Sequence, residues 1–143
     1  METNTGPNVS VGHISLEVSD IARSRRFYEA ALKGCGFKII LEEKDAFGLR
    51  NESFAIFLGK PETPRVERGA PKDSDFVIAE HFAILVPDRR SVDEIAGSME
   101  NAGFRAFFPP EEHPEFVPGY YSASFCDPDN NVVEFYTIKE ERK

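Results

Sequence analysis

Tryptophan is missing from this sequence, and cysteine nearly so: Cys35 and Cys126 are the only two in 143 residues. Two thiols with no CxxC pair exclude a disulfide framework and a cysteine-built zinc module. They fit free thiols in a reducing cytoplasm. No apolar run approaches the length of a membrane-spanning helix, and Met1 to Ser10 lacks the basic-then-apolar plan of a secretory signal. Basic residues are the minority: 17 Lys and Arg stand against 25 Asp and Glu, for a net charge of -8. That excludes the basic footprint which nucleic acid or an anionic membrane needs.

The chain does hold the material of a core. Hydrophobic residues make up 41% of it, with 13 Phe, which marks a globular protein. The length suits one domain, or two small halves sharing one core.

Val9 to Val18 alternates in polarity and predicts a strand. Asp20 is a candidate N-cap. Ile21, Ser24, Phe27, Tyr28, Ala31 and Leu32 recur at helical spacing, so a helix is predicted from Ile21 to about Lys33, ended by Gly34 and Gly36. Phe37–Leu41, Phe47–Arg50 and Phe54–Leu58 read as three strands. Lys60 to Ser74 carries three of the ten prolines and many charges, as a linker does. The order then recurs. Glu80–Val86 is a strand, and a helix capped by Ser91 or Asp88 presents Val92, Ile95, Ala96, Met99 and Ala102 on one face. After Gly103 comes a strand over Phe104–Phe108, then an acidic, proline-rich loop from Pro109 to Pro118. Tyr120–Phe125 and Asn131–Thr137 are the last strands. Residues 139–143 are a charged tail expected to fray.

The recurrence is written in the residues. His13-Ile14-Ser15-Leu16-Glu17-Val18-Ser19-Asp20 aligns with His81-Phe82-Ala83-Ile84-Leu85-Val86-Pro87-Asp88, and the Gly36-Phe37 pair aligns with Gly103-Phe104. Each half therefore reads β-α-β-β-β, too small to bury its own sheet, so the two halves must pack together. Extending the alignment places Glu134 beside Ile56.

The last strand raises a chemical question. Asp127-Pro128-Asp129-Asn130-Asn131 is turn chemistry, and alternation after it puts Val132, Glu134 and Tyr136 on one face and Val133 and Phe135 on the other. A carboxylate among apolar neighbours has to be exposed, paired or bound to a cation. His13 and His81, at matching positions, are the candidate co-ligands. Two imidazoles and one carboxylate suit Zn, Ni, Mn or Fe(II) and leave coordination positions open. His113, in the proline-rich loop, fits no ligand position and is expected at the surface or rim. Of the Phe residues, Phe47, Phe54, Phe57, Phe82, Phe104, Phe107 and Phe125 are expected mostly in the core.

The doubled β-α-β-β-β unit, the His-led first and fifth strands, and the Asp127-Pro128-Asp129-Asn130 turn leading to Glu134 resemble the vicinal oxygen chelate superfamily. It groups glyoxalase I, fosfomycin-resistance transferases, extradiol dioxygenases, methylmalonyl-CoA epimerase and bleomycin-binding proteins. The resemblance covers about residues 9–138. It implies an α+β fold: two βαβββ repeats, about 9–59 and 79–138 with a linker at 60–78, forming a curved mixed sheet or half-barrel with helices outside and short tails at 1–8 and 139–143.

The resemblance also implies a divalent metal on His13, His81 and Glu134, and lyase or isomerase chemistry on a small substrate chelated through vicinal oxygens. The alternatives are an Fe(II) ring-cleaving dioxygenase and a non-catalytic binding protein of the bleomycin-resistance type. The fourth-strand Glu of glyoxalase I-like enzymes has no equivalent in Ser53–Leu58. The position where extradiol enzymes carry Tyr holds Ser124, and Tyr120 has the same strand parity, so both are cavity candidates. A homodimer in the cytoplasm is the expected state, with His13 facing His81 and Glu134 of the partner chain.

Overall fold

The structure is a computed structural model that describes residues 6–64, 68–72 and 80–138. The expected tails and linker fall partly outside the described residues, at 1–5, 65–67, 73–79 and 139–143. Ten elements follow one another as β1 (His13–Glu17), α1 (Ile21–Leu32), β2 (Lys38–Glu43), β3 (Ala46–Arg50), β4 (Ala55–Gly59), β5 (His81–Leu85), α2 (Arg89–Asn101), β6 (Ala106–Glu112), β7 (Tyr121–Cys126) and β8 (Val132–Thr137). They build two open four-stranded sheets, β1-β4-β3-β2 and β5-β8-β7-β6, so the two halves share one strand order. In each sheet the first strand runs parallel to its neighbour and the rest are antiparallel.

Local chemistry sets the helix ends. The Asp20 carboxylate accepts from the Arg23 amide at 2.9 Å and that of Asp88 from the Ser91 amide at 2.8 Å, each satisfying a first-turn donor that the helix leaves open. α2 closes with the Gly103 amide on the Glu100 carbonyl and the Phe104 amide on the Met99 carbonyl. This paired closure needs a left-handed residue, and Gly103 supplies it at φ 90°.

One core joins the halves. Phe27, Tyr28, Ala31 and Leu32 of α1 and Val92, Ile95, Ala96 and Met99 of α2 are buried with Phe47, Leu49, Ile56 and Leu58 of one sheet and Phe125, Val133 and Phe135 of the other. Phe27 meets Phe104 edge to face at 5.2 Å. The β7–β8 turn is tied back to the first half. Asp127, 3% exposed, accepts from the Tyr28 hydroxyl at 2.7 Å and from the amides of Asp129 and Asn131. Asp129 accepts in turn from the Ser19 amide at 3.1 Å. The turn cluster therefore fastens the last strand to the start of α1.

Three sequence expectations change. The strand expected from Val9 begins only at His13. β6 continues through Pro109 and Pro110 to Glu112, where a loop was expected. It is an edge strand with two register shifts, and an edge tolerates residues that cannot donate. His113 is 7% exposed rather than at the surface. The loop folds back through His113 N–H to Tyr120 C=O and Tyr120 N–H to Val117 C=O, which carries the imidazole inward against Phe116.

Candidate functional site

Glu134 lies in the middle of β8, and the register around it defines an open face. Cα-paired residues share a face. Across the second sheet the rows read His81, Val132, Cys126; then Ala83, Glu134, Ser124; then Leu85, Tyr136, Ser122. The opposite face carries Val133, Phe135 and Phe125, all at 0% exposure, into the core. The expected alternation in β8 holds. His81 and Glu134 therefore share a face, one row apart on adjacent strands. Small side chains, Ala83 and Ser124, flank the carboxylate.

Glu134 is 5% exposed. Its Oε1 accepts from the Tyr120 hydroxyl at 2.5 Å. The Tyr120 phenol is pushed well up by burial first, then by this hydrogen bond and the carboxylate charge, so it keeps its proton and acts as a hydrogen-bond donor. Its ring stacks on Tyr136 at 5.3 Å and meets Phe116 edge to face at 5.5 Å. The hydroxyls of Ser122 and Ser124 are buried and meet no hydrogen-bond partner among the described residues. Buried polar groups in native proteins are rarely left so, and these two are donors available to a polar ligand.

The first sheet offers the matching face. His13, Ala55 and Arg50 form one row, and Ser15, Phe57 and Gly48 the next. The imidazole of His13 meets the Phe57 ring edge to face at 5.5 Å. Phe57 lies across Gly48, where an added Cβ would stand 2.8 Å from the ring. His13 and His81 are both exposed.

The registers correct one expectation. His13 pairs with Ala55 and His81 with Val132, so the counterpart of Glu134 in the first half is Phe57, not Ile56. The misalignment was a one-residue slip, which exchanges the faces of a strand. Phe57, expected mostly in the core, is only half-buried.

The sequence-derived set is only partly brought together. Glu134, Tyr120, Ser124 and His81 belong to one face of the second sheet; His13 belongs to the first. Among the described residues no three His, Cys, Asp or Glu side chains of one chain stand close enough to share an ion. Within one chain, then, the three ligands do not fit a metal, and only His81 and Glu134 offer it a common surface. Sequence reasoning missed the role of Tyr136 and Phe116 as supports for Tyr120. The parity of Tyr136 with Glu134 was a signal for the first; nothing signalled the second.

Residues 10–135 match the family model of the glyoxalase/bleomycin resistance protein/dioxygenase superfamily. The chain belongs to this superfamily, the vicinal oxygen chelate group. It is 28% identical over 123 residues to the uncharacterized protein YqjT of Bacillus subtilis (strain 168), covering 85% of this chain and 94% of that one. Its fold matches a glyoxalase/bleomycin resistance protein/dioxygenase from Alicyclobacillus acidocaldarius with a TM-score of 0.69 at 19% identity, over 90% of each chain. A lactoylglutathione lyase from Agrobacterium tumefaciens matches at 0.67 and 19% identity, over 92% of this chain and 96% of its own. The fosfomycin resistance protein FosX from Mesorhizobium loti matches at 0.62 and 17% identity, over 94% and 93%. None of the helices among the described residues is long and apolar enough to cross a membrane.

Proposed function

We propose that this protein is a divalent-metal-dependent enzyme of the lyase or isomerase type, acting on a small substrate bound through two neighbouring oxygens. The carrying observation is the buried carboxylate of Glu134, sharing an open face with His81 and flanked by Ala83 and Ser124. Burying a carboxylate is costly, and a cation offsets that cost better than one neutral hydroxyl does. The third ligand is His13 of a second copy, because one chain does not bring the three together. The working form is a homodimer in the cytoplasm, where Cys35 and Cys126 stay as the free thiols they are here.

A bound ion of this kind supplies Lewis acidity, stabilising negative charge as it develops on a substrate oxygen. The chain does the rest. His81 and Glu134 provide ligands on a rigid sheet, the geometry such a site needs. Ser122 and Ser124 supply buried donors to a substrate oxygen, and the half-buried ring of Tyr136 lies on the same face. No acid stands in β4 at the position corresponding to Glu134, since Phe57 fills it. A proton taken from carbon would have to go to a base outside that position.

Metal analysis of the purified protein tests the reading. Wild-type protein should carry one equivalent per chain, and Glu134→Gln should carry almost none. Full retention of metal by Glu134→Gln would remove Glu134 from the site. Zinc or nickel in the wild type supports isomerase or lyase chemistry, and iron supports the ring-cleaving alternative.

One observation favours a second reading, small-molecule binding without turnover: Tyr120 already satisfies Glu134 with no cation needed. Ligand affinity that survives complete chelator dialysis would support it.

A further inference from the structure

We propose that Tyr120 fills the binding position on the face of the second sheet, and that the ligand which displaces it is a neutral hydroxyaromatic molecule, a phenol in the simplest case. This needs no ion. It rests on the reading of this face as a small-molecule site, which the metal-bound and metal-free accounts share.

The geometry is that of a site filled by its own chain. Tyr120 directly precedes β7, so its neighbours on the same face are first Ser122 and Tyr136, then Ser124 and Glu134. Its ring passes the nearer row, lies on Tyr136 with planes 16° apart, and ends with the hydroxyl on Oε1 of Glu134 at 2.5 Å. A ring to stack on and a carboxylate to receive an O–H are what recognition of a phenol needs. Tyr120 uses both but leaves something over. Ser122 and Ser124 are 1% and 2% exposed, and their hydroxyls meet no partner among the described residues. Ser124 stands directly across from Glu134. A phenol oxygen accepts as well as donates. A free phenol, not tied to the backbone, can take the Glu134 carboxylate and the Ser124 hydroxyl together. Burial and the carboxylate keep the Tyr120 phenol protonated, and the same surroundings favour a neutral ligand and repel a phenolate.

The means of exit is local. Tyr120 follows Gly119, which sits at φ 83° and can change hand at little cost. Phe116 and Val117, on the same loop, are 38% and 45% exposed, so moving them gives up little buried apolar surface.

The experiment titrates two probes into the full chain in excess EDTA, read by calorimetry. One is 4-methylphenol, the free form of the tyrosine side chain, and the other is toluene, the same ring without the O–H. Wild type, Tyr120→Phe and Tyr120→Ala are compared. Wild type, with its own ring in place, should bind 4-methylphenol most weakly. Tyr120→Phe lacks the hydrogen bond that holds the ring to Glu134 and should bind it about 10- to 100-fold more tightly. Tyr120→Ala should bind it at least as tightly as Tyr120→Phe, and should bind toluene about 10- to 100-fold more weakly than 4-methylphenol. Wild-type affinity in both variants overturns the proposal; if Tyr120→Ala does not fold, wild-type affinity in Tyr120→Phe alone overturns it. Equal affinities for the two probes also overturn it, but leave the face a small-molecule site. Uptake of neither probe by any folded variant removes that reading as well. Every titration is metal-free, so no outcome depends on whether the protein takes up an ion.

Discussion

Tyr28 delivers a hydroxyl from the first helix to Asp127, 99 residues along the chain, at 2.7 Å. Removing it strips one donor from a buried carboxylate, so Tyr28→Phe should lose about 1–3 kcal/mol at neutral pH, measured by urea unfolding. The phenol is held well above its usual 10.0 by burial first, then by the charge and hydrogen bond of Asp127, then by Asp129. A raised folded-state pKa gives a contribution that is whole below the unfolded value and is lost as pH rises through the folded one. The stability gap between wild type and Tyr28→Phe should therefore narrow above about pH 10. A gap that is constant or wider there would count against this assignment. The Asp127 cluster was read from sequence as turn chemistry, and it is that. Its reach to Tyr28 was not legible, because no spacing rule links residues so far apart. The same holds for Tyr120 and Glu134. Parity placed Tyr120 toward the cavity, but only the folded loop shows where its hydroxyl ends.

At the level of elements, Gly48 and Phe57 fit closely on the first sheet. A methyl group at Gly48 would stand 2.8 Å from two ring carbons of Phe57 and 3.2 Å from Cβ of Leu41. The ring has to swing, and it is the ring that His13 rests against. Gly48→Ala should cost about 1–3 kcal/mol in denaturant unfolding, the usual penalty for overpacking. No change in midpoint would mean that the ring moves freely. The elements themselves were largely legible. α1 keeps its expected start and cap, because Asp20 and the spacing from Ile21 to Leu32 are both local signals. β8 keeps its two faces, because alternation is local too. β6 was cut short, because two prolines read as a loop wherever the strand's place in the sheet is unknown. The slip between Ile56 and Phe57 arose the same way: similarity of apolar residues does not fix a register, and hydrogen bonding to β1 does.

For the whole molecule, the repeat was legible from His13/His81 and the two Gly-Phe pairs, and the β-α-β-β-β succession it predicts for each half is the one observed; the order of strands within the sheets was not legible in it. What it did not give is how ligands on two sheets come together, since the relative placing of the sheets depends on packing between helices. Two copies of this chain could complete the set, each lending His13 to the other's His81 and Glu134. A His13→Ala chain mixed with a Glu134→Ala chain should then recover metal at about half of the sites of the mixed dimer, because one interface keeps all three ligands. Metal content after verified exchange measures this. No recovery would overturn the shared site and the three-ligand metal reading with it.

The proline-bearing border of the second sheet has a bearing on growth and crowding. Pro109 and Pro110 strip donors from β6, and β2, at the far border of the first sheet, is broken by a register irregularity between Ile39 and Leu41. Both outer margins thus resist extension by a stray strand. The margins formed by β1 and β5 are short but regular. A strand added to this molecule would meet less resistance at the two margins that carry the histidines than at the rims that would propagate a fibre.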